Sequence, residues 1–420
     1  MARKKPPVEE LDELIERCAG IDVGQAELVV CARFPDARGV RTKEVASFGT
    51  TTPDLLALSE WLGRLDVTHV AMESTGVYWK PIYYVLEADF EVMLVNARHV
   101  KHVPGRKTDT IDAAWLALLL SRGLLQPSFV PPQPIRELRD LTRYRKALTK
   151  ERISEVNRIH KTLEDAGVKL SSVATDVMGV SGRDMMRALI AGVADPEAMA
   201  DLARGKLRAK LPQLEKALTS RFREHHAFLL ERMLAHVDDL EADIAAVTER
   251  IEAAVAPFES QLTLLESIPG VGRHTAQVIV AEIGVDMDIF PTAGHLSSWA
   301  GLCPGQRESA GKRGSAKTRK GSKWLRNALI ESARRAARLK GTYLNERYLQ
   351  VRRRRGDQRA VVAVAHEILV AAYRCLSTGA FYDDPGPEAL RDLSAEHVKR
   401  RALAQLRSLG YAVELNRPAA

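Results

Sequence analysis

The spacing of apolar and polar positions changes twice along this chain of 420 residues. From Ala19 to about residue 126, short apolar runs alternate with segments of helical period. Ala19-Gly20-Ile21-Asp22-Val23-Gly24 reads as an apolar strand ending in a glycine turn, and Leu28 to Ala32 reads as a second strand paired with it across Gly24-Gln25. Val40 to Phe48 reads as a third. Pro53 to Leu65 has helical spacing, with Thr52 as N-cap and Pro53 as the first helical residue. Strand Val67 to Met72, helix Val77 to Leu86, strand Glu91 to Val95 and a helix from about Thr108 to Arg122 follow. Three strands and then alternating helices and strands predict a mixed α/β sheet of ribonuclease-H type over residues 1–130.

The pattern then becomes helical. Pro127 to Pro134 holds four prolines and marks a boundary. Leu138, Leu141, Tyr144, Leu148, Val156, Ile159 and Leu163 recur at helical spacing. Leu230, Met233, Val237, Leu240, Ile244, Val247 and Ile251 alternate steps of three and four, the mark of a coiled-coil seam. Residues 131–260 are therefore expected to be a coiled-coil region, with its arms at 136–166 and 213–255 forming an antiparallel hairpin or a dimer zipper that drives assembly. Residues 167–212 read as a small helical insert. Residues 261–384 read as a mostly helical domain. Within it Ile268-Pro269-Gly270-Val271-Gly272 lies between two apolar helical segments, as in a helix-hairpin-helix. Residues 385–420 read as a helical tail.

Composition narrows the partner. Lys plus Arg exceeds Asp plus Glu by eight, which favours a polyanion. From Arg307 to Arg359 there are eighteen Lys or Arg against four acids, a density suited to a phosphate backbone. Within this stretch Lys312, Arg313, Lys317, Arg319, Lys320, Lys323 and Arg326 are the candidate nucleic-acid contacts. Trp299, Trp324, Tyr343 and Tyr348 suit stacking on bases, although core positions fit them better. Cys18, Cys31, Cys303 and Cys375 are scattered and suggest neither a zinc site nor a disulfide framework. The charged N-terminus carries no apolar signal core, and no uncharged run is long enough to span a bilayer. A soluble, cytoplasmic protein with no membrane partner is expected.

Asp22 follows an apolar strand, Glu73 ends another, and Asp109 and Asp112 share one face of a helix start. Each alone reads as a turn or capping residue. Together they form an oxygen ligand set for Mg2+, with Mn2+ as the alternative, because clustered carboxylates repel one another without a cation between them. Ser309 lies in the cationic, glycine-bearing segment Pro304 to Arg313. Composition alone leaves it a loop serine, since no activating base is adjacent.

These motifs, taken in order, resemble the DEDD-type transposases of bacterial insertion sequences, the bridge-RNA-guided serine recombinases. The resemblance runs from about Ala19 to Asp384. It is carried by Gly20-Ile21-Asp22-Val23, Met72-Glu73-Ser74-Thr75-Gly76, Lys107-Thr108-Asp109-Thr110-Ile111-Asp112-Ala113, Ile268-Pro269-Gly270-Val271-Gly272, Glu308-Ser309-Ala310-Gly311-Lys312 and Lys320-Gly321-Ser322-Lys323-Trp324-Leu325-Arg326. It implies a RuvC-like domain in which Asp22, Glu73, Asp109 and Asp112 hold Mg2+, and a second domain in which Ser309 attacks a DNA phosphodiester and forms a phosphoserine link. It further implies donor and target DNA, a structured guide RNA and a homo-oligomer as partners. Two other readings remain open. One is a RuvC-like Holliday-junction resolvase with metal-activated water. The other is a non-catalytic nucleic-acid binder.

Overall fold

The computed structural model describes residues 12–96, 112–304, 308–309, 312–313, 318 and 321–413, with backbone alone at 308, 309, 312, 313 and 391–398. It divides into two units, residues 1–130 and 131–420.

The first unit is a mixed five-stranded sheet with helices. Strands β1 (Cys18–Val23), β2 (Glu27–Pro35) and β3 (Arg41–Gly49) form an antiparallel meander. Helix α1 (Thr52–Arg64) leads to β4 (His69–Glu73), and α2 (Trp79–Leu86) leads to β5 (Glu91–Val95). The sheet order is β3-β2-β1-β4-β5, with β1, β4 and β5 parallel. Helix α3 spans Asp112–Ser121. The rest of the expected helix, residues 108–111, lies outside the described residues. Successive side chains of a strand point to opposite faces. On one face Ala19, Ile21 and Val23 pack with Leu55, Leu58 and Leu62 of α1 and with Ile82 and Leu86 of α2. On the other, Cys18 and Ala71 pack with Leu120, while Cys31 packs with Ala113 and Ala117 of α3. The N-cap of α1 is Thr51, one residue before the expected position. Asp54 sits at the third helical position and accepts from the Thr51 backbone N–H at 3.2 Å, which makes Thr51 the residue that can close a capping box.

The second unit opens with two long helices, α4 (Gln133–Asp165) and α9 (Glu224–Val255). Between them lie α5 (Leu170–Val173), α6 (Val180–Ile190), α7 (Pro196–Ala200), a 3-10 turn and α8 (Leu211–Leu218). Contacts along α4 and α9 run in opposite senses. Arg152 reaches Glu241, Thr162 reaches Met233 and Asp165 reaches His226. The pair is thus an antiparallel hairpin within one chain. Leu230, Val237, Leu240 and Ile251 fill its seam, with Met233, Ile244 and Val247 half-buried. Tyr144 does not join them and is 54% exposed. The seam positions beside it are Thr142 and Arg145, whose guanidinium donates to Gln277 Oε1 at 2.9 Å. The small helices cover the far end of the hairpin with a shared core of Met185, Met186, Leu189, Met199 and Leu214 around Ile159 and Leu163. Val237 is fully buried, so Val237→Asp with Ile244→Asp is expected to unfold the hairpin, because an uncompensated charge in an apolar seam costs several kcal/mol. Circular dichroism should show lost helicity. Unchanged helicity and an unchanged unfolding midpoint would refute this packing.

The chain continues through α10 (Glu259–Glu266), α11 (Arg273–Ile283), α12 (Ala293–Trp299), the two-residue strands β6 (Glu308–Ser309) and β7 (Lys312–Arg313), α13 (Lys323–Ala336), α14 (Tyr343–Arg355), α15 (Asp357–Thr378) and α16 (Glu388–Ser408). Helix α15 is long and apolar enough to cross a membrane, yet it packs against α13 and α14 and half of its apolar stretch is buried. Glu367 interrupts that stretch. Trp299 contacts Phe290 with ring centroids 5.7 Å apart. Trp324, Tyr343 and Tyr348 are half-buried.

Candidate active site

Three of the four acidic candidates come together on one face of the sheet. Asp22 has the parity of Cys18 and Gly20, and Glu73 has the parity of Ala71, so both belong to the face that α3 covers. Ile21 pairs with Met72 in parallel register, which brings Asp22 level with Glu73 at the ends of adjacent strands. Asp112 begins α3. Gly20 allows that helix to lie directly on β1. A Cβ there would come within 2.3 Å of the Ala113 carbonyl oxygen and 2.5 Å of the Ala117 nitrogen. The Asp22 carboxyl is held above the usual carboxylate range, first by partial desolvation and then by the nearby Asp112 carboxylate. That repulsion is what a bound cation relieves. Asp109 lies outside the described residues. Among those residues Asp22, Glu73 and Asp112 do not draw their oxygens as close together as the one tight cluster, Asp165, His225 and His226, whose ligand atoms lie within 4.8 Å of one another.

That cluster is built as a hydrogen-bond chain. The Arg223 backbone N–H donates to His226 Nδ1 at 3.1 Å. The neutral ring's proton therefore sits on Nε2, which donates to Asp165 Oδ2 at 3.1 Å. With both nitrogens so used, His226 closes the start of α9 and offers no lone pair to a metal.

Ser309 belongs to a small hairpin in the second unit. Ser309 pairs with Lys312 and Glu308 with Arg313, and outside them Pro304 bridges Thr318 in the same antiparallel sense. Lys312 and Arg313 are thus on the strand opposite Ser309. Lys317, Arg319 and Lys320 lie outside the described residues. Lys323 is exposed beside the Trp324 ring, and Arg326 donates to Thr318 Oγ1 at 2.9 Å. The five-residue motif Ile268 to Gly272 forms the turn between α10 and α11. Gly270 has φ 87°, and a Cβ there would come within 2.6 Å of the Ser332 carbonyl oxygen, so this turn packs closely on α13.

One residue that sequence reasoning missed ties these pieces together. Glu282 on α11 is fully buried. Arg143 of α4 grips it with two hydrogen bonds of 2.8 and 3.0 Å. Ser322 donates to its Oε2 at 2.8 Å while also capping the start of α13. Arg139 binds the carbonyls of Ala281 and Glu282. A single buried carboxylate thereby holds the long arm and the helix that follows the Ser309 hairpin. Glu282→Ala leaves Arg143 without its partner and is expected to cost about 3–5 kcal/mol. Urea denaturation measures this, and a loss below about 1 kcal/mol would remove Glu282 from that role.

Comparison with known proteins finds two matching family patterns and several similar transposases. The sequence pattern of the DEDD-type IS110 transposase domain matches residues 19–167, and that of the transposase IS116/IS110/IS902 family matches residues 262–349. The chain is 28% identical over 317 residues to the transposase for insertion sequence element IS1111A of Coxiella burnetii, covering 73% of this chain and 77% of that protein. It is 24% identical over 283 residues to the transposase for insertion sequence element IS1328 of Yersinia enterocolitica, covering 66% and 74%. A 43.6 kDa protein of insertion element IS110 from Streptomyces coelicolor is 31% identical over 160 residues, a match that spans 36% of this chain and 39% of that protein. With both transposase domains matched in order along one chain, the protein belongs to the IS110/IS116/IS902 family of insertion-sequence transposases.

Proposed function

We propose that this protein cuts and rejoins DNA during transposition of an insertion sequence, with Ser309 as nucleophile and the carboxylates of Asp22, Glu73, Asp109 and Asp112 as the ligands of Mg2+ or Mn2+. The observation that carries the reading is the gathering of Asp22, Glu73 and Asp112 on one sheet face of a chain that also contains the second transposase domain. The donor set is all carboxylate, which suits a hard divalent cation. A cation bound there supplies charge neutralisation for a phosphodiester.

Ser309 gives up its hydroxyl proton and its Oγ bonds to the phosphorus. The bond from phosphorus to one sugar oxygen breaks, and that oxygen leaves with a proton. Rejoining reverses the step with the sugar hydroxyl of the new strand, so the energy of the phosphodiester is retained and no nucleotide triphosphate is consumed. Lys312 and Arg313, on the strand opposite Ser309, are placed to bind phosphate oxygens. The first unit supports a RuvC-like reading by its antiparallel meander followed by parallel strands, and the α10–α11 turn supports a helix-hairpin-helix. The family resemblance further assigns sequence choice to a guide RNA and the active assembly to more than one copy of the chain.

A DNA substrate nicked so that the cut strand escapes tests the reading directly. It should trap a protein–DNA adduct that survives denaturant, and peptide mapping should place it on Ser309. Ser315 and Ser322 are the neighbours to distinguish, Ser322 being engaged with Glu282 and the α13 N-terminus. Cleavage without an adduct would favour the resolvase reading with water as nucleophile. Nucleic-acid binding without any cleavage would favour the non-catalytic reading. Purified protein should carry a structured RNA encoded beside its gene, and full activity of RNA-free protein would remove the guide.

A further inference from the structure

A cleft of about 980 Å³ opens between α13, α14 and α15. Four guanidinium groups line it: Arg326 from α13, Arg347 and Arg355 from α14, and Arg359 from α15. Glu367 is the one carboxylate among its lining residues. Pro304 and Thr318, the bridged pair that brackets the segment containing Ser309, also line it. Arg326 is held in place by its bond to Thr318 Oγ1. Glu367 lies 3.4 Å from Arg347 and offsets that charge, which leaves Arg326, Arg355 and Arg359 in excess.

A second observation points to a ligand. One buried polar atom of a lining residue, Nδ1 of His366, makes no hydrogen bond among the described residues, whereas Nε of Arg347 lies 3.4 Å from the Glu367 carboxylate. Buried polar atoms left unpaired cost about 1–3 kcal/mol each, and native structures retain few of them without a water, an ion or a ligand to explain them. Burial keeps the His366 imidazole below its usual pKa, with the Arg347 charge adding to the effect against Glu367. A neutral ring accepts a hydrogen bond at one nitrogen and donates at the other. The site therefore combines fixed positive charge, neutral hydrogen-bonding capacity and the volume of a large ligand pocket.

We infer that this cleft seats consecutive backbone phosphates of a DNA strand beside the Ser309 hairpin, with Arg326, Arg355 and Arg359 as the phosphate contacts and His366 and Arg347 as the hydrogen-bonding wall. The choice of DNA rests on the transposase reading above; the anion chemistry does not. Three guanidiniums without a carboxylate partner among the described residues, spread over three helices, exceed what one small anion needs, and the open form admits a chain that enters and leaves. Arg355 and Arg359 are exposed, so replacing them leaves packing intact.

The test is equilibrium binding of a short DNA duplex and of its single strand to the full-length protein over a range of salt. Arg355→Gln with Arg359→Gln should lower affinity about tenfold or more near physiological salt. It should also reduce the slope of log K against log salt by about 1.4–1.8, the loss of two phosphate contacts. Arg232→Gln with Arg250→Gln, exposed arginines of α9, makes the same change in net charge outside the cleft and should leave both quantities unchanged. An unchanged slope in the cleft variant, or an equal loss in the α9 variant, overturns the cleft. Wild-type protein that binds no DNA overturns the transposase reading instead. An RNA strand bound more tightly than DNA and released by the cleft variant overturns the assignment to DNA. Displacement of DNA by millimolar inorganic phosphate would show a site for single small anions and would equally refute the strand.

Discussion

Ser309→Ala should bind DNA with the affinity and salt dependence of the wild type while transposition falls by on the order of 10⁴ or more, since a nucleophile has no substitute in its own step. Binding survives because the cationic residues that bracket the hairpin are untouched and because Ser309 and Lys312 meet through backbone pairing. The fold survives because alanine keeps that pairing. Ser309→Cys gives a second reading. A thiolate attacks phosphorus, but its longer bonds and different acidity change the geometry, so a trace of adduct is expected with little completed rejoining. Transposition by Ser309→Ala at the wild-type rate would end the serine mechanism and leave metal-activated water in its place. Loss of DNA binding in that variant would mean that the hairpin had collapsed, and circular dichroism with the salt slope separates that case from lost chemistry.

The first unit was legible because β1, β2 and β4 are buried as near-continuous apolar runs, while the edge strand β3 stays exposed or half-buried along its length. Five strands and two helices could be laid out from residues 18–95, and the structure places the strands within a few residues of those positions. The start of α1 was misplaced by one residue, although the threonine at 51 and the aspartate at 54 carry the spacing of a capping box. On the long arm, periodicity placed Tyr144 in the seam, where Thr142 and Arg145 actually face the neighbouring helices. A seam position held by a polar residue with a partner is silent to a search for apolar repeats. Glu282 was missed for a similar reason. A lone acid in the apolar run Val278 to Ile283 demands a cation, yet its partners Arg139 and Arg143 lie some 140 residues away in sequence. The pairing of Asp22 with Glu73 was suggested by their positions at strand ends. Gly20, which lets α3 bring Asp112 against them, was visible only as part of a motif and acquires its physical reason from the 2.3 Å approach of the Ala113 carbonyl. His366 carries no pattern at all in sequence, because its place is made by three helices meeting around a cleft.

Asp22→Asn should abolish DNA cleavage and abolish stabilisation of the protein by divalent cations, without weakening the cation-free fold. Asp22 lies at the end of β1, where its carboxylate is disfavoured first by partial desolvation and then by repulsion from Asp112. Replacing it with the isosteric amide removes that repulsion, so the cation-free unfolding midpoint should stay level or rise slightly. For the wild type, a cation present at about a hundred times its Kd adds roughly 2.7 kcal/mol. For a unit of this size that is a rise on the order of 10 °C in the midpoint of the first transition. Mn2+ and Mg2+ should both produce it, and a chelator should reverse it. Asp112→Asn should behave in the same way, because its carboxylate is the other half of the repulsion. A double substitution should lose no more cleavage than either single one, as residues that act as one unit do not add. Calorimetric scans with and without Mn2+ read the binding independently of any reaction. If Asp22→Asn keeps the full Mn2+ shift, the cation binds elsewhere and the carboxylate face is not the metal site. If it loses the shift but still cleaves, the site binds metal that the chemistry does not need. If the cation-free midpoint falls by several degrees instead, Asp22 is a structural residue of the β1–α3 contact, and the repulsion between Asp22 and Asp112 is not what governs this end of the sheet.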